Sequence, residues 1–450
     1  MKKVITYGSF DLFHEGHRRL LERAKKLGDY LIVGVTTDSY DQSRGKLNVQ
    51  QSVMQRVENI KNSGLADEII IEEYEGQKLN DILKYDIDIF ALGSDWIGQF
   101  DYLKEYCEVI YLERTKGISS TLLRAENNGI LKLGMIGYGR IANRFILESK
   151  FVSGVNIEGV YGLNPESLKN FADKHELAFY ETDLESFFDR VDSVYIASPH
   201  LTHYEYIKKA LEIGKHVLCE KPLVLSAVQA KEVYQMAQER ELVLLEAIKT
   251  AYAPGFIRLI SIAKSGLIGQ IKNIDATFTK LVDGEIRELQ ADKAGGSVTE
   301  LATYPLLAIV KLLGTEIEEK EFFTFIDKER DIDLFTKINL RYKNAIASAK
   351  VGLGVKSEGD LIISGTKGYI YIPSPWWKTE YFEIRYEDFS KNKKHYYKFE
   401  GDGLRYELAE FVSMINKKLK HTYKLTPLDS ITISSIIDSY LQGEDRKNIF

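Results

Sequence analysis

The chain has 450 residues, 44% hydrophobic and 28% charged, with 60 Lys and Arg against 66 Asp and Glu for a formal charge of −6. That length implies two or three domains, the ordinary globular composition excludes wholesale disorder, and the acidic balance argues against a nucleic-acid or anionic-membrane partner. Two cysteines, Cys107 and Cys219, are too few for a disulfide framework and suit a reducing compartment. The opening Met1–Gly8 turns polar too early for a signal peptide, and no apolar run approaches the ~18 residues of a membrane span, so a cytoplasmic protein without a membrane partner is expected.

In chain order, short apolar runs at 4–7, 30–35, 68–71, 87–92 and 109–112 read as strands. Amphipathic stretches separate them; Leu20, Leu21, Ala24 and Leu27 share one helical face. This alternation implies a mostly parallel sheet covered on both sides, closing with a helix at 121–126 before the stop signal Asn127-Asn128-Gly129. A second series has strands at 130–136, 155–161, 194–197, 216–219 and 242–247, with helices to about residue 264. The runs at 271–281, 322–326, 334–342, 346–351, 360–363, 368–372 and 381–386 then suggest an antiparallel sheet, closed by helices at 405–419 and 428–441. The expectation is three units, 1–128, 129–250 and 251–450: two α/β folds followed by an α+β domain on a mainly antiparallel sheet.

The first strand runs into Gly8-Ser9-Phe10-Asp11-Leu12-Phe13-His14-Glu15-Gly16-His17. Two histidines three apart, with a helix following, stand at a helix N-terminus, whose unpaired N–H groups and positive potential favour phosphates. After the fifth strand, Arg114-Thr115-Lys116-Gly117-Ile118-Ser119-Ser120-Thr121 sets three hydroxyls behind a glycine turn, with a cation ahead of them. At the same end of one parallel sheet, the two segments point to phosphate binding.

Together these motifs resemble the cytidylyltransferase family, and bacterial glycerol-3-phosphate cytidylyltransferases in particular, across the whole of 1–126. The resemblance implies attack of a substrate phosphate on the α-phosphate of CTP, with Mg²⁺, releasing pyrophosphate. It assigns His14, His17, Lys46 and Arg114 to catalysis. Gly8, Ser9, Phe10, Asp11, Arg44, Arg56, Asp95, Trp96, Ser119, Ser120 and Thr121 are assigned to nucleotide or substrate binding. No protein side chain is expected to ligate metal. Ser9 stands where the family usually has threonine, Ser94 where it often has aspartate, and Arg44-Gly45-Lys46 where its basic loop is denser. The last two departures bear on which acceptor is used.

The second series opens with Gly137-Tyr138-Gly139-Arg140-Ile141-Ala142, a Gly-x-Gly-x-x-Ala turn between a strand and a helix that suits a dinucleotide pyrophosphate. The next strand ends in Gly162-Leu163-Asn164, with neither an acid for the ribose of NAD nor an arginine for NADP. Later strands run into Ser198-Pro199-His200-Leu201-Thr202-His203 and Cys219-Glu220-Lys221-Pro222. With Leu245-Glu246-Ala247 and the segment from Gly295 to Pro305, these resemble the glucose–fructose oxidoreductase and inositol dehydrogenase family over about 130–450. The resemblance implies hydride exchange with NADPH or NADH, Lys221 as proton relay and Tyr304 beside the substrate. Gly137, Tyr138, Gly139, Arg140, Ile141, Asn164, Ser198, Pro199, His200, His203, Glu220, Lys221 and Pro222 fall at cofactor-binding positions. Glu300 takes a substrate-site position commonly held by aspartate. Lys249 follows the Glu-Ala pair near the expected pocket, where a surface lysine is an equal reading. His216 reads as structural, and Trp376 and Trp377 as an interface or a pocket wall.

Two readings stay open. One is a bifunctional enzyme that reduces a small ketose or its derivative and activates the polyol phosphate with CTP, forming a CDP-alditol for a teichoic-acid or capsule polymer. The other is a cytidylyltransferase carrying a silent cofactor-binding or oligomerisation module. The expected partners are a phosphorylated polyol or ketose, CTP and a second copy of the chain, as a dimer or tetramer.

Overall fold

The computed structural model describes residues 1–43, 49, 51–74, 76–113 and 130–449. It divides into two compact units, Met1–Ile130 with Phe151–Gly154, and Leu131–Lys150 with Val155–Phe450. In the first, β1 (Lys3–Gly8), β2 (Tyr30–Thr36), β3 (Glu68–Glu72), β4 (Ile89–Gly93) and β5 (Glu108–Leu112) form a parallel sheet in the order β3-β2-β1-β4-β5. Alternation along each strand fills both faces. Val4, Leu31 and Val33 join one core with Leu21 and Ala24 of the helix Glu15–Lys25, while Ile5, Ile32 and Phe90 pack on the other side with Ile82 and Leu103. A parallel strand buried on both faces reads as a continuous apolar run, which is why these strands stand out in the sequence.

The second unit opens with another parallel sheet: β6 (Leu131–Ile136), β7 (Val155–Tyr161), β8 (Phe179–Glu181), β9 (Ser193–Ile196), β10 (His216–Glu220) and β11 (Leu244–Ala247), ordered β11-β10-β9-β6-β7-β8. Its remaining strands are β12 (Ile271–Thr279), β13 (Glu319–Asp327), β14 (Ile332–Tyr342), β15 (Ala345–Gly352), β16 (Leu361–Gly365), β17 (Tyr369–Ile372), β18 (Tyr381–Arg385), β19 (Lys393–Tyr396) and β20 (Arg446–Ile449). They form a sheet in the order β19-β18-β17-β16-β12-β15-β14-β13-β20. This sheet is mainly antiparallel, with β12 parallel to β15 and β13 parallel to β20. Three strands go beyond the sequence reading. β8, β19 and β20 are edge strands of three or four residues, too short or too polar to show an apolar period. The closing helices run Leu404–Asn416 and Pro427–Leu441; the second has Pro at its start and a capping box from Thr426 and Asp429. No single described helix is long and apolar enough to cross a membrane.

One buried ion pair ties the helix Arg140–Ser149 to the helix Leu404–Asn416. Arg405 donates from Nε to Glu148 Oε2 at 2.8 Å and from Nη2 to Oε1 at 2.9 Å, a bidentate geometry with both side chains nearly inaccessible. Removing one partner of such a pair leaves an uncompensated buried charge, which costs about 3–5 kcal/mol. Arg405→Met should therefore lower the stability of the second unit by about 3 kcal/mol or more. Urea unfolding followed by its tryptophan fluorescence measures this, and a loss below about 1 kcal/mol would contradict it.

Candidate active sites

In the first unit β1 ends at Gly8 and the chain turns through residues 9–13 into the helix Glu15–Lys25. The turn holds Phe10 at φ 52° and Leu12 at φ 49°, left-handed conformations that non-glycine residues adopt only under constraint. Buried polar groups supply that constraint. Asp11 is fully buried and accepts from the Gln51 N–H at 3.0 Å, and the Gln51 side chain accepts from the Leu12 N–H at 3.0 Å. Arg56, also fully buried, donates to the Ser9 carbonyl at 2.7 Å and the Gln51 carbonyl at 3.0 Å, and it pairs with Asp38 and Asp41. Arg56 and Asp11 thus brace the loop from beneath.

His14 is the N-cap of the helix: its Nδ1 accepts from the Gly16 N–H at 3.0 Å and its carbonyl accepts from the Arg18 N–H. Because Nδ1 is an acceptor, a neutral His14 carries its proton on Nε2. His17 stacks on it with centroids 3.8 Å apart and lies edge-on to the buried Phe10 at 5.3 Å. Across the crevice, the turn Ser94–Trp96 leaves β4, with Trp96 packed against Phe100. β1 and β4 are the neighbours at which strand order reverses, the usual place for a ligand in an open α/β sheet. Gly8, Ser9, Phe10, Asp11, His14, His17 and Arg56 therefore converge on one loop. Arg44, Lys46, Arg114, Ser119, Ser120, Thr121 and the Asp95 side chain lie outside the described residues.

On the other face of the sheet, where Tyr7 packs with Ile5 and Phe90, is a polar cluster that the sequence reading passed over. The Tyr7 hydroxyl donates to Asp81 at 2.8 Å, and Lys78 pairs with buried Glu72 while lying 4.8 Å from the Tyr7 ring centroid. Burial and then Asp81 push the Tyr7 hydroxyl far above the phenol range. Lys78 sits in the helix Gln77–Tyr85, where the sequence pattern alone does not mark it as buried. Among the described residues no group of His, Cys, Asp or Glu is placed to hold a metal ion.

The second unit encloses a cavity of about 730 Å³ at the C-terminal ends of its parallel strands. Residues 137–141 form one wall. Gly137 has φ 102°, and a Cβ there would stand 2.6 Å from the Ala197 carbonyl, so only glycine lets these two loops meet. At Gly139 a Cβ would meet nothing, and the helix it caps has no side-chain cap, leaving its first N–H groups directed to the cavity side. These residues fit a dinucleotide pyrophosphate. The ring of Tyr138 covers Gly162, where a Cβ would lie 2.4 Å from it. Asn164 is committed elsewhere, accepting from the Ser167 N–H at 2.9 Å as a helix cap, and Arg140 pairs with Glu288.

Ser198, Pro199, His200 and His203 line the cavity from the segment after β9, and Glu220 and Lys221 from the end of β10 and the residue after it. His203 joins those segments, its Nδ1 2.9 Å from the Pro222 carbonyl and its Nε2 3.0 Å from the Ser198 carbonyl. Burial holds both histidines below their ordinary range. Lys221 Nζ donates to the backbone carbonyl of Glu300 at 2.9 Å and lies 6.0 Å from the ring centroid of Tyr304, which also lines the cavity. The Glu300 carboxylate turns instead to Arg287, at 2.8 Å but off-line for a hydrogen bond, and to His200 at 3.7 Å. Its contact with Lys221 is through the main chain.

Around this wall the carboxylates are buried. Glu220 accepts from Tyr195 at 2.7 Å, Glu246 accepts from the Leu223 N–H at 3.0 Å, and neither oxygen of Glu407 has a hydrogen-bond partner among the described residues. Burial raises all three, Glu246 to about 7 and Glu407 well above the carboxylate range. Lys249 enters the cavity wall, as do Arg144, Lys280 and Arg287, which carry no sequence signal of a site. Trp376 is buried with its indole donating to the Thr277 carbonyl at 2.8 Å, while Trp377 stacks on Phe278, itself against Tyr304. His216 accepts from the Val243 N–H at 3.0 Å and braces β10.

Three family profiles match the chain: cytidylyltransferase-like at residues 5–126, the oxidoreductase family with an NAD-binding Rossmann fold at 131–247, and the GFO/IDH/MocA C-terminal domain at 256–371. The first 126 residues align at 55% identity with the glycerol-3-phosphate cytidylyltransferase of Bacillus spizizenii, spanning 28% of this chain and 97% of that protein. The trans-1,2-dihydrobenzene-1,2-diol dehydrogenase of Xenopus tropicalis is 25% identical over 69% of this chain and 97% of its own length. A 3-ketoreductase from Actinomadura kijaniata, solved with NADP and TDP-benzene, superposes with a TM-score of 0.64 at 22% identity, over 71% of this chain and 98% of that one, a likeness of fold. The chain belongs to the cytidylyltransferase-like family through its N-terminal region and continues as an oxidoreductase of the GFO/IDH/MocA type, a fusion of the two.

The raised Glu246 makes a stability prediction. Between about pH 4.5 and 7 the unfolded chain has released this proton while the folded chain keeps it, so the folded state binds more protons and stability falls as pH rises through that window. Glu246→Gln should flatten this dependence. Urea midpoints at pH 5 and 7.5 for the two proteins measure it, and an equal pH slope in both would contradict the assignment.

Proposed function

We propose that the chain makes a CDP-activated alditol for a cell-surface polymer: one half reduces a small phosphorylated ketose and the other transfers a cytidylyl group from CTP to the resulting polyol phosphate. The observation carrying this reading is Lys221 beside Tyr304 in the same cavity wall as the glycine loop, an arrangement that a silent module has no need to keep. Similarity to glycerol-3-phosphate cytidylyltransferases supports the acceptor class.

For cytidylyl transfer, an oxygen of the acceptor phosphate attacks the α-phosphorus of CTP, the bond to the bridging oxygen of the β-phosphate breaks, and pyrophosphate leaves. Mg²⁺ arrives with the nucleotide as part of the substrate. No protein nucleophile is needed, so the chain's contribution is positioning and charge stabilisation. His14 donates from Nε2, His17 stacks beside it, and the helix N–H groups face the triphosphate. Arg56 and Asp11 hold that loop in place.

For reduction, the chemistry a bound nicotinamide supplies is the hydride. Lys221 gives a proton to the carbonyl oxygen as the carbon–oxygen π bond breaks, and water restores the proton to the lysine. The Tyr304 hydroxyl orients the same oxygen. Gly162 and the capping role of Asn164 leave β7 without an acid to repel a 2′-phosphate. That gap also favours a second reading, a cytidylyltransferase with a non-catalytic cofactor module.

A crossed experiment separates them. His17→Ala should lower cytidylyl transfer by about 10²–10³-fold and spare reduction. Lys221→Met should lower reduction by about 10²–10⁴-fold and spare cytidylyl transfer. Mass analysis of products from CTP, Mg²⁺, reduced cofactor and a panel of ketose and alditol phosphates reads both. Wild-type protein that binds the cofactor and transfers cytidylyl groups yet reduces nothing would establish the second reading. NADPH should serve at least comparably with NADH. Steady-state kinetics with each cofactor checks this, and an NADH preference above about a hundredfold, some 2.7 kcal/mol, would contradict it.

A further inference from the structure

Six cations line the cavity of the second unit: Arg140, Arg144, Lys221, Lys249, Lys280 and Arg287. Against them Glu220 is the one carboxylate in the wall among the described residues. Most of these charges are already engaged. Arg140 pairs with Glu288, Arg144 with Asp402 at 3.7 Å and Arg287 with Glu300, while Lys221 donates to the Glu300 carbonyl. Lys280 is exposed. Lys249 is different: it is partly buried, yet among the described residues its ammonium makes no hydrogen bond or ion pair within 4.0 Å. A desolvated ammonium without a partner is costly unless a ligand completes it.

Burial pulls the Lys249 ammonium below its ordinary range, and nearby carboxylates work against that pull without occupying the donor. The carboxylates acting on Lys249 are Glu407, Asp402 and Glu220, with Lys378 opposing them. Glu407 is fully buried one helical turn beyond Leu404, which itself lines the cavity. Position then decides which ligand Lys249 meets. The glycine loop follows β6, Ser198–His203 follows β9, Lys221 follows β10, and Lys249 follows β11, the strand at the far edge. A dinucleotide with its pyrophosphate at residues 137–139 places its adenosine on the β7 side and its reactive ring toward β9 and β10. Lys249 lies beyond that ring, on the substrate side.

We propose that Lys249 is the anion anchor of the reductase site and that the carbonyl substrate therefore carries a phosphate. The inference rests on the reductase reading above and deepens it: the ammonium ion-pairs with the substrate phosphate while Lys221 and Tyr304 address the carbonyl oxygen. Lys249 acts in binding and specificity, and Lys221 in proton transfer.

The test titrates glycerol 3-phosphate, which cannot be reduced, into the NADPH-loaded full-length protein and follows fluorescence of the bound cofactor. Lys249→Met should raise the dissociation constant about 10- to 100-fold, the range for losing a charged partner, with Lys249→Arg close to wild type and glycerol giving no response. In turnover with dihydroxyacetone phosphate, Lys249→Met should raise KM by a similar factor with little change in kcat. An unchanged dissociation constant in Lys249→Met, an equal response to glycerol in wild type, or loss of NADPH binding itself would overturn the proposal. Lys249-dependent phosphate binding without reduction of any ketose phosphate would uphold the anchor and sink the reductase reading instead.

Discussion

Helix N-termini leave backbone N–H groups without intrahelical partners, and a parallel α/β sheet gathers such termini at the ends of its strands. Both sites of this chain are built on that constraint. In the first unit the helix Glu15–Lys25 starts beside the β1/β4 reversal, and in the second the helix Arg140–Ser149 starts beside the β6/β9 reversal. The two solve the same problem with different caps. His14 caps its helix through Nδ1, whereas Gly139 leaves its helix without a side-chain cap, so that a pyrophosphate can approach the backbone itself.

Keeping those loops in place takes buried polar groups, and the two units use them differently. In the first unit, charges are paired: Arg56 with Asp38 and Asp41, Lys78 with Glu72. Around the cavity of the second unit the carboxylates Glu220, Glu246 and Glu407 are buried with few cationic partners, and desolvation favours their neutral forms. A wall rich in cations with its acids partly neutralised is an environment for anions. Lys221 is placed by this same packing, held by the main-chain carbonyl of Glu300 while the Glu300 carboxylate turns to Arg287.

The motifs proposed to carry the chemistry of each half are short and contiguous, and for that reason they are legible in the sequence. A strand followed after a short loop by His14-Glu15-Gly16-His17, or at once by Gly137-Tyr138-Gly139, brings these groups together through local geometry, because a turn and one helical cap suffice to assemble them. The buried strands were equally legible, since burial on both faces demands continuous apolar runs. Edge strands such as β20, with the residues Arg446-Lys447-Asn448-Ile449, satisfy no such demand and left no trace.

Tertiary structure decided what depends on distant segments meeting. Arg56 carries the charge of a ligand-binding residue, yet packing from Asp38, Asp41 and Gln51 commits it to bracing a loop. Asn164 ends the right strand to face a ribose, yet the helix beginning at Pro165 claims its side chain as a cap. Lys249 is a surface lysine or a pocket lysine on sequence grounds. It becomes the latter because the helix Leu404–Asn416, more than 150 residues away in sequence, brings buried Glu407 to face it. By itself the sequence determined the two folds and the local placement of their motifs, since hydrogen bonding and burial within a few residues dictate those. Which charges are spent on structure and which are left for a ligand was settled only by the folded chain, because desolvation and pairing belong to neighbours that the sequence holds apart.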